Sequence, residues 1–242
     1  MNADYVANLK ALRQAFGPSS ETPLLVDILS KHFRRRDEIT MLDVGIGNGA
    51  SAGKVTDGLT RRGIHVALTG IDPYIPASAR RLGWASRARL VPTGLADFHP
   101  GEAYDVVNAK QSLYYLGDEG EALKKLASLV SPGGILTITV WDSGCTLKTI
   151  HDTYLAPGHY SPSGVGVGRC ISEISPSSRP VEIHHFDGQI MLSRADATVI
   201  EPILKIASRG AEATDMAWRM ARDYLASLGP VAPRRNAVVV AT

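Results

Sequence analysis

The residues with the clearest chemical potential lie between Leu42 and Ala50, where Asp43 is followed by Gly45, Gly47 and Gly49 at alternate positions. Glycines at a strand-to-helix turn let backbone come close to a ligand, and the helix N-terminus beyond offers unpaired N–H groups to an anionic part of it. Gly45, Gly47 and Ala50 also satisfy the permissive pattern G-x-G-x-x-G/A, so the loop alone leaves a dinucleotide open. Asp43 argues against that, because a carboxylate inside a buried strand is costly unless it orders the loop or meets a cation. Asp72, followed by Pro73, ends the next strand 23 residues after Gly49 and is placed to accept from both hydroxyls of a ribose. Asp97, in a turn after the third strand, is suited to accept from an adenine amino group. Each has a plainer reading beside it: Asp43 as a loop brace, Asp72 as a turn initiator, Asp97 as a solvated carboxylate.

In chain order, D-x-G-x-G-x-G, strand-terminal Asp72-Pro73, Ala96-Asp97, and Pro132-Gly133-Gly134 before a fifth strand resemble the class I S-adenosylmethionine-dependent methyltransferases over about residues 39–141. The resemblance implies a Rossmann-like α/β fold, with a mostly parallel sheet, helices on both faces, helices before it and an insert after the fifth strand. It implies S-adenosylmethionine as methyl donor and S-adenosylhomocysteine as product. Asp43, Gly45, Gly47 and Gly49 would hold the donor from the loop, and Asp72, Pro73, Ala96, Asp97 and Lys110 from the neighbouring strand ends. The readings from other classes are an NAD-type oxidoreductase on the same loop and a sensor that kept the site without turnover.

The fourth strand bears on the acceptor. Nucleic-acid base N-methyltransferases place (D/N/S)-P-P-(Y/F) there to stack an extruded base; this chain has Asn108-Ala109-Lys110-Gln111-Ser112-Leu113-Tyr114-Tyr115, which favours a small molecule. Gln111 through Asp118 resembles the Gln-x-x-Tyr-Tyr-x-x-Asp segment of the histamine N-methyltransferase family. That likeness implies that Glu21, Gln111 and Asn236 hold an imidazole amine. Gln111 and Tyr115 follow a strand end that faces the crevice of such a sheet, and Trp141, ending the fifth strand, would line the acceptor pocket. Glu21 also reads as an acid favoured by a helix dipole, Trp141 as core, and Asn236 as a solvated strand entry. Methyl transfer from a sulfonium is an in-line displacement that needs an aligned neutral lone pair more than a strong base. An oxygen acceptor, phenol or carboxylate, is the alternative, and His151 or one of His184 and His185 would then be the base. Adjacent strand residues point to opposite faces, so His184 and His185 cannot easily share a metal ion. Arg34-Arg35-Arg36 reads as a solvated helix end.

The elements that must position these groups follow from periodicity. Tyr5, Leu9, Leu12 and Phe16 predict one helix over 4–16, and a second runs from Thr22 to Phe33. From residue 39, strand and helix alternate: ITMLDV, the glycine turn, a helix from Ala50, HVALTGI, a short helix from Ala77 to Trp84, strands at 88–92 and 104–107, a helix striped by Leu123, Leu126 and Leu129, and ILTITV. Alternation with uncharged central strands implies a parallel sheet. Residues 145–154 read as helix, 156–180 as a Gly/Ser/Pro-rich lid, VEIHHF and QIML as two strands, 196–208 and 215–228 as helices, and NAVVVA as a final strand entering antiparallel.

Composition bounds the rest. The 242 residues fit a single methyltransferase domain, divided as a helical cap (1–38), a donor-binding core (39–141) and an acceptor-side part (142–242). Hydrophobic residues at 44% and charged residues at 21% support a packed core, and a net charge of +2 disfavours a nucleic-acid binder. Cys145 and Cys170 alone make neither a metal framework nor a secreted disulfide scaffold. With no signal-peptide layout or membrane-length apolar run, the expectation is a soluble, cytoplasmic monomer or homodimer.

Overall fold

In the computed structural model the described residues are 8, 11, 12, 14–77, 79–81, 83–157, 167–174, 180–192, 197–208 and 212–242. The chain divides into two compact units. One comprises Ser20–Val140, Val167–His184 and Val238–Thr242; the other comprises Met1–Ser19, Trp141–Gly166 and His185–Ala237.

The first unit carries five parallel strands, β2 (Glu38–Val44), β3 (His65–Ile71), β4 (Ala88–Val91), β5 (Tyr104–Lys110) and β6 (Val130–Trp141, to Val140 in this unit). They hydrogen-bond in the order β6-β5-β2-β3-β4, with the end of β8 (Val231–Ala241) beside β6. All four pairings among these five are parallel, as buried uncharged strands linked by helices require. Proline and glycines at 132–134, expected as a turn, lie within β6: the register with β5 shifts between Tyr104↔Val130 and Val106↔Ile135, and Gly133 takes φ 72° to make the irregularity.

Helix α1 (Glu21–His32) buries Leu25, Val26 and Leu29, and α2 (Ala50–Thr60) buries Ala52, Val55 and Leu59. Two glycines inside α2 oppose its helix propensity by roughly 1 kcal/mol each relative to alanine. Both have a packing reason. A Cβ on Gly58 would stand 2.7 Å from a methyl of Val26, and one on Gly53 2.7 Å from the indole of Trp84. Helix α3 (Glu119–Ser128) starts where Asp118 accepts from the Glu121 N–H at 2.9 Å.

At the N-terminal edge of the sheet Arg36 is not merely solvated. It donates to Asp105 through both terminal nitrogens at 2.6 and 3.2 Å, and Asp105 also accepts from the backbone N–H and hydroxyl of Thr40. Burial raises the Asp105 pKa, but the Thr40 and Arg36 hydrogen bonds outweigh it and hold the carboxyl below its ordinary value.

Several expected boundaries moved. Described residues before Phe16 are helical, but most of the predicted first helix lies outside the described residues, and Phe16–Ser19 is strand β1 rather than a helix end. The predicted helix at 77–84 is two 3-10 turns, Ala79–Arg81 and Gly83–Arg87. In the predicted lid, 158–166 and 175–179 lie outside the described residues, while Val167–Ile174 is helix α5, following α4 (Thr146–Ile150) and a π-turn at His151–Leu155. VEIHHF and QIML form one strand, β7 (Val181–Met191), because Asp187 and Gly188 continue the alternation that ends with buried Phe186 and Ile190.

In the second unit the strand order is β1-β7-β8, with β1 antiparallel to β7. Helices α6 (Ala197–Ser208) and α7 (Asp215–Ser227) belong to it. No helix among the described residues is long and apolar enough to cross a membrane.

The Asp105 pairing predicts that Asp105→Asn destabilises the protein by about 1–2 kcal/mol at pH 7. Because the folded carboxyl holds its charge more readily than the unfolded one, this advantage is present above the ordinary carboxylate range and lost as pH falls through the lowered pKa. Urea titrations of both proteins should show the gap closing below about pH 4; a gap independent of pH would refute it.

Candidate active site

The strand β2 to helix α2 turn brings Asp43, the three glycines and Asp72 together, and the glycines are there for three different reasons. A Cβ on Gly45 would stand 2.4 Å from the Cβ of Ser112, whose hydroxyl donates to the Val44 carbonyl at 2.7 Å. A Cβ on Gly49, the α2 cap at φ 69°, would fall 1.8 Å from a ring carbon of Trp84. Only Gly47, at φ 55°, would direct a Cβ into open space, with nothing within 4 Å. Of the three, Gly47 alone has open space beside its Cα.

Asp72 is buried at the end of β3. One oxygen accepts from the Gly47 N–H at 3.0 Å and the other from the Tyr74 N–H at 2.8 Å. The carboxylate therefore ties the glycine loop to the β3 terminus and is already oriented, with lone pairs left for the paired hydroxyls of a ribose. Pro73 is exposed in the same turn. Ala96 and Asp97 are also exposed, after β4, where the Ala96 carbonyl accepts from Lys125 at 2.6 Å.

Asp43 sits in a row of polar side chains crossing the sheet. Asp43 pairs in register with Asn108, and Asn108 with Thr137. The Asn108 amide donates to Asp43 and its carbonyl oxygen accepts from Thr137 at 2.8 Å. Burial raises the Asp43 pKa from 3.8 to about 6, against the Asn108 hydrogen bond and the Lys110 charge, with the Asp72 charge adding to the rise. Asp43 therefore ties β2 to β5, through a partner that sequence reasoning missed. The signal was available: Asn108 is the one amide in the buried strand YDVVNAK.

Lys110, at the end of β5, reaches Glu21 at 2.9 Å and Ser51 at 2.8 Å. It joins the first residue of α1 to the first turn of α2, so the buried Glu21 carboxylate holds a lysine. The next residue, Gln111, has φ 53° and is the one non-glycine residue with positive φ among the described residues. Its N–H donates to the Thr139 carbonyl at 2.9 Å. Tyr115 closes the 3-10 turn Leu113–Tyr115, is 42% exposed, and meets Tyr114 edge to face. Trp84, Ser112 and Ser51 were not anticipated; the glycines at 45, 49 and 53 were the only trace of the close packing that involves the first two.

Trp141 and Asn236 belong to the other unit, and both are buried. Asn236 does not open the final strand: β8 begins at Val231 and the residue is 1% exposed within it. His151 is also buried, with Nδ1 2.9 Å from the Ala207 carbonyl. His184 lies 3.3 Å from Glu182, and His185 lies 2.8 Å from Asp142.

The fold and cradle define a Rossmann-like nucleoside-binding enzyme. Residues 12–179 match the family model described as a methyltransferase domain, and the chain belongs to that family, whose methyl donor is S-adenosylmethionine. A solved protein of Bacillus halodurans C-125 assigned as a methyltransferase shares the fold with TM-score 0.60 at 13% identity, over 92% of this chain and 97% of that one. The Burkholderia thailandensis 1,6-didemethyltoxoflavin-N1-methyltransferase, with 1,6-didemethyltoxoflavin and S-adenosylhomocysteine bound, superposes with TM-score 0.52 at 16% identity, over 91% of this chain and 76% of that one. A tRNA U34 carboxymethyltransferase of Klebsiella pneumoniae is 30% identical over 125 residues, 49% of this chain. The chain spans about a third of that relative's length, 35%.

The residues present fit the donor. Gly47 leaves open space over the loop, Asp72 is a fixed carboxylate that would accept from a ribose, and the first turn of α2 would supply N–H groups to a carboxylate.

Two outcomes follow. Gly47→Ala should weaken S-adenosylhomocysteine binding at least tenfold by calorimetry, with a stability loss of only about 1–2 kcal/mol from the left-handed backbone; Gly49→Ala should chiefly lower the melting temperature. For Asp43 the folded pKa exceeds the unfolded one, so the folded state binds the extra proton and stability falls as pH rises from about 4 to about 6. Relative to Asp43→Asn, the wild type should lose about 3 kcal/mol across that window and stay level above it, measured by urea unfolding.

Proposed function

We propose that this protein transfers the methyl group of S-adenosylmethionine to a nitrogen of a small amine or imidazole-type molecule. When bound, the donor supplies an electrophilic methyl carbon on a sulfonium; the chain's own residues position it and the acceptor. Gly47 and Asp72 hold the nucleoside end, and the α2 N-terminus beside Ser51 faces its anionic end. Lys110 adds positive charge there and is kept in place by Glu21. Gln111 and Tyr115 align the acceptor and keep water from the reacting atoms.

The observation that carries the acceptor half is the backbone of Gln111. A left-handed glutamine is strained, and strain of this kind is retained where the surrounding structure needs a side chain aimed in one direction. Gln111 stands directly after a parallel strand, where ligands of such sheets gather. Its amide can both donate to and accept from a ring nitrogen or amine, which suits a neutral nitrogen better than a carboxylate. The toxoflavin-type enzyme offers a precedent for nitrogen methylation of a small heterocycle on this fold.

The test is an acceptor screen with methyl-labelled S-adenosylmethionine against histamine, histidine, other amines, phenols and bulk tRNA. Product at an amine or ring nitrogen is expected, and Gln111→Ala should lower kcat/KM about 100-fold with S-adenosylhomocysteine affinity unchanged. Activity confined to phenols would overturn the nitrogen assignment, and activity confined to tRNA would overturn the small-molecule one.

A further inference from the structure

We infer that Ser112 is a positioning residue that locks the turn from Gln111 to Tyr115 to the glycine loop, so that filling the donor site stiffens the residues that align the acceptor. The inference rests on the methyl-transfer reading and deepens it: the donor binds first, and the acceptor then meets a turn already in place. All the residues involved belong to the first unit.

Strands β2 and β5 part just before the site. Their pairing ends at Asp43↔Asn108. Beyond it β2 turns into the glycine loop, while β5 continues beside β6 as far as Lys110↔Thr139. The loop is anchored on its β3 side, where the Gly45 and Ile46 N–H groups donate to the Ile71 carbonyl at 2.8 and 3.1 Å and the Gly47 N–H to Asp72 at 3.0 Å. On the β5 side two side chains cross the fork. Lys110 reaches Ser51 in helix α2, and Ser112 reaches the entry to the loop itself.

Ser112 is buried and holds both sides of the fork at once. Its hydroxyl donates at 2.7 Å to the carbonyl of Val44, the residue directly before Gly45. Its Cβ fills the place beside Gly45, where a Cβ on that glycine would stand 2.4 Å away, so the two segments touch with no slack between them. Its own carbonyl accepts from the Tyr115 N–H at 2.9 Å, which closes the 3-10 turn that carries Tyr115. One residue earlier, the Gln111 N–H is held by the Thr139 carbonyl at 2.9 Å. The left-handed backbone of Gln111 is therefore pinned from both sides, the over-determination that a strained conformation needs in order to persist.

A ligand seated beside Gly47 restricts the loop, and close packing hands that restriction to Ser112 instead of absorbing it. Order passed from one site to another in this way is a coupling between them, and it acts equally in both directions.

The experiment measures amide hydrogen exchange at Tyr115 and Leu116 in the whole chain, with and without saturating S-adenosylhomocysteine. In the wild type the ligand should slow exchange at Tyr115 by about fivefold or more. In Ser112→Ala that ratio should fall below about twofold, and in the milder Ser112→Cys lie between, while S-adenosylhomocysteine affinity by calorimetry stays within about threefold of wild type. A merely structural serine would speed exchange of the turn equally with and without ligand and leave the ratio intact. That result, or a wild-type turn indifferent to bound S-adenosylhomocysteine, would overturn the assignment. Loss of S-adenosylhomocysteine affinity in both variants would make Ser112 a brace of the donor loop alone and overturn it as well. Failure of the wild type to bind S-adenosylhomocysteine would instead overturn the methyl-transfer reading.

Discussion

Three strands of the sheet are pinned by one buried row, Asp43 on β2, Asn108 on β5 and Thr137 on β6, joined side chain to side chain. A carboxylate is expensive to bury and an amide only less so, which makes the row tolerable in one register and no other. A slip of one residue would turn each of the three to the opposite face and leave a charge in the apolar layer. The cost is visible in Asp43, whose proton affinity burial raises to about 6. With that row in place, the ends of β2 and β5 are level. The glycine turn leaves from one, and Lys110 with the strained Gln111 from the other.

The cradle shows how one motif can hold three unlike requirements. Gly45 and Gly49 lack side chains because Ser112 and Trp84 occupy the space, whereas Gly47 has open space beside it and a left-handed backbone. Asp72 fastens the middle of the loop to β3, so the loop is held from below by packing and from the side by a carboxylate. A binding surface set up in this way costs little to order when a ligand arrives, because its conformation is already imposed by groups the ligand never touches. Lys110 extends the same economy to the helices, since its contacts with Glu21 and Ser51 fix a positive charge at the first turn of α2.

In the second unit, Asp142 plays a part comparable to that of Asp72: a carboxylate immediately after a strand, immobilised by backbone and used to orient something else. The difference lies in what it orients. Asp72 takes the Gly47 and Tyr74 N–H groups itself and so fixes the loop, and Asp142 aligns an imidazole. The placement of Asp72 follows from the general property of parallel sheets that side chains just beyond the strand C-termini gather at the ligand crevice.

How far all this could be read from the residues alone differs by feature. Strand-helix alternation, the parallel core, and the glycine loop with Asp72 after it are local in sequence, so their spacing shows in the chain itself. Asp43 was recognisable as a buried charge needing a reason, but the reason, Asn108, is 65 residues away, and only strand pairing makes them neighbours. The same distance hides Ser112 behind Gly45 and Trp84 behind Gly49. It also hides the surroundings of His151, His184 and His185, since identical imidazoles differ only in what the fold sets beside them: a core carbonyl, a glutamate on the same strand, or a fixed carboxylate. Boundaries missed where an irregularity was absorbed by pairing, as at Pro132–Gly134 inside β6 and Asp187–Gly188 inside β7. Residue order therefore specified the class of site, because backbone turns are short-range. The partners that orient each functional group came from folding, because hydrogen bonds and close packing join residues that the chain holds far apart.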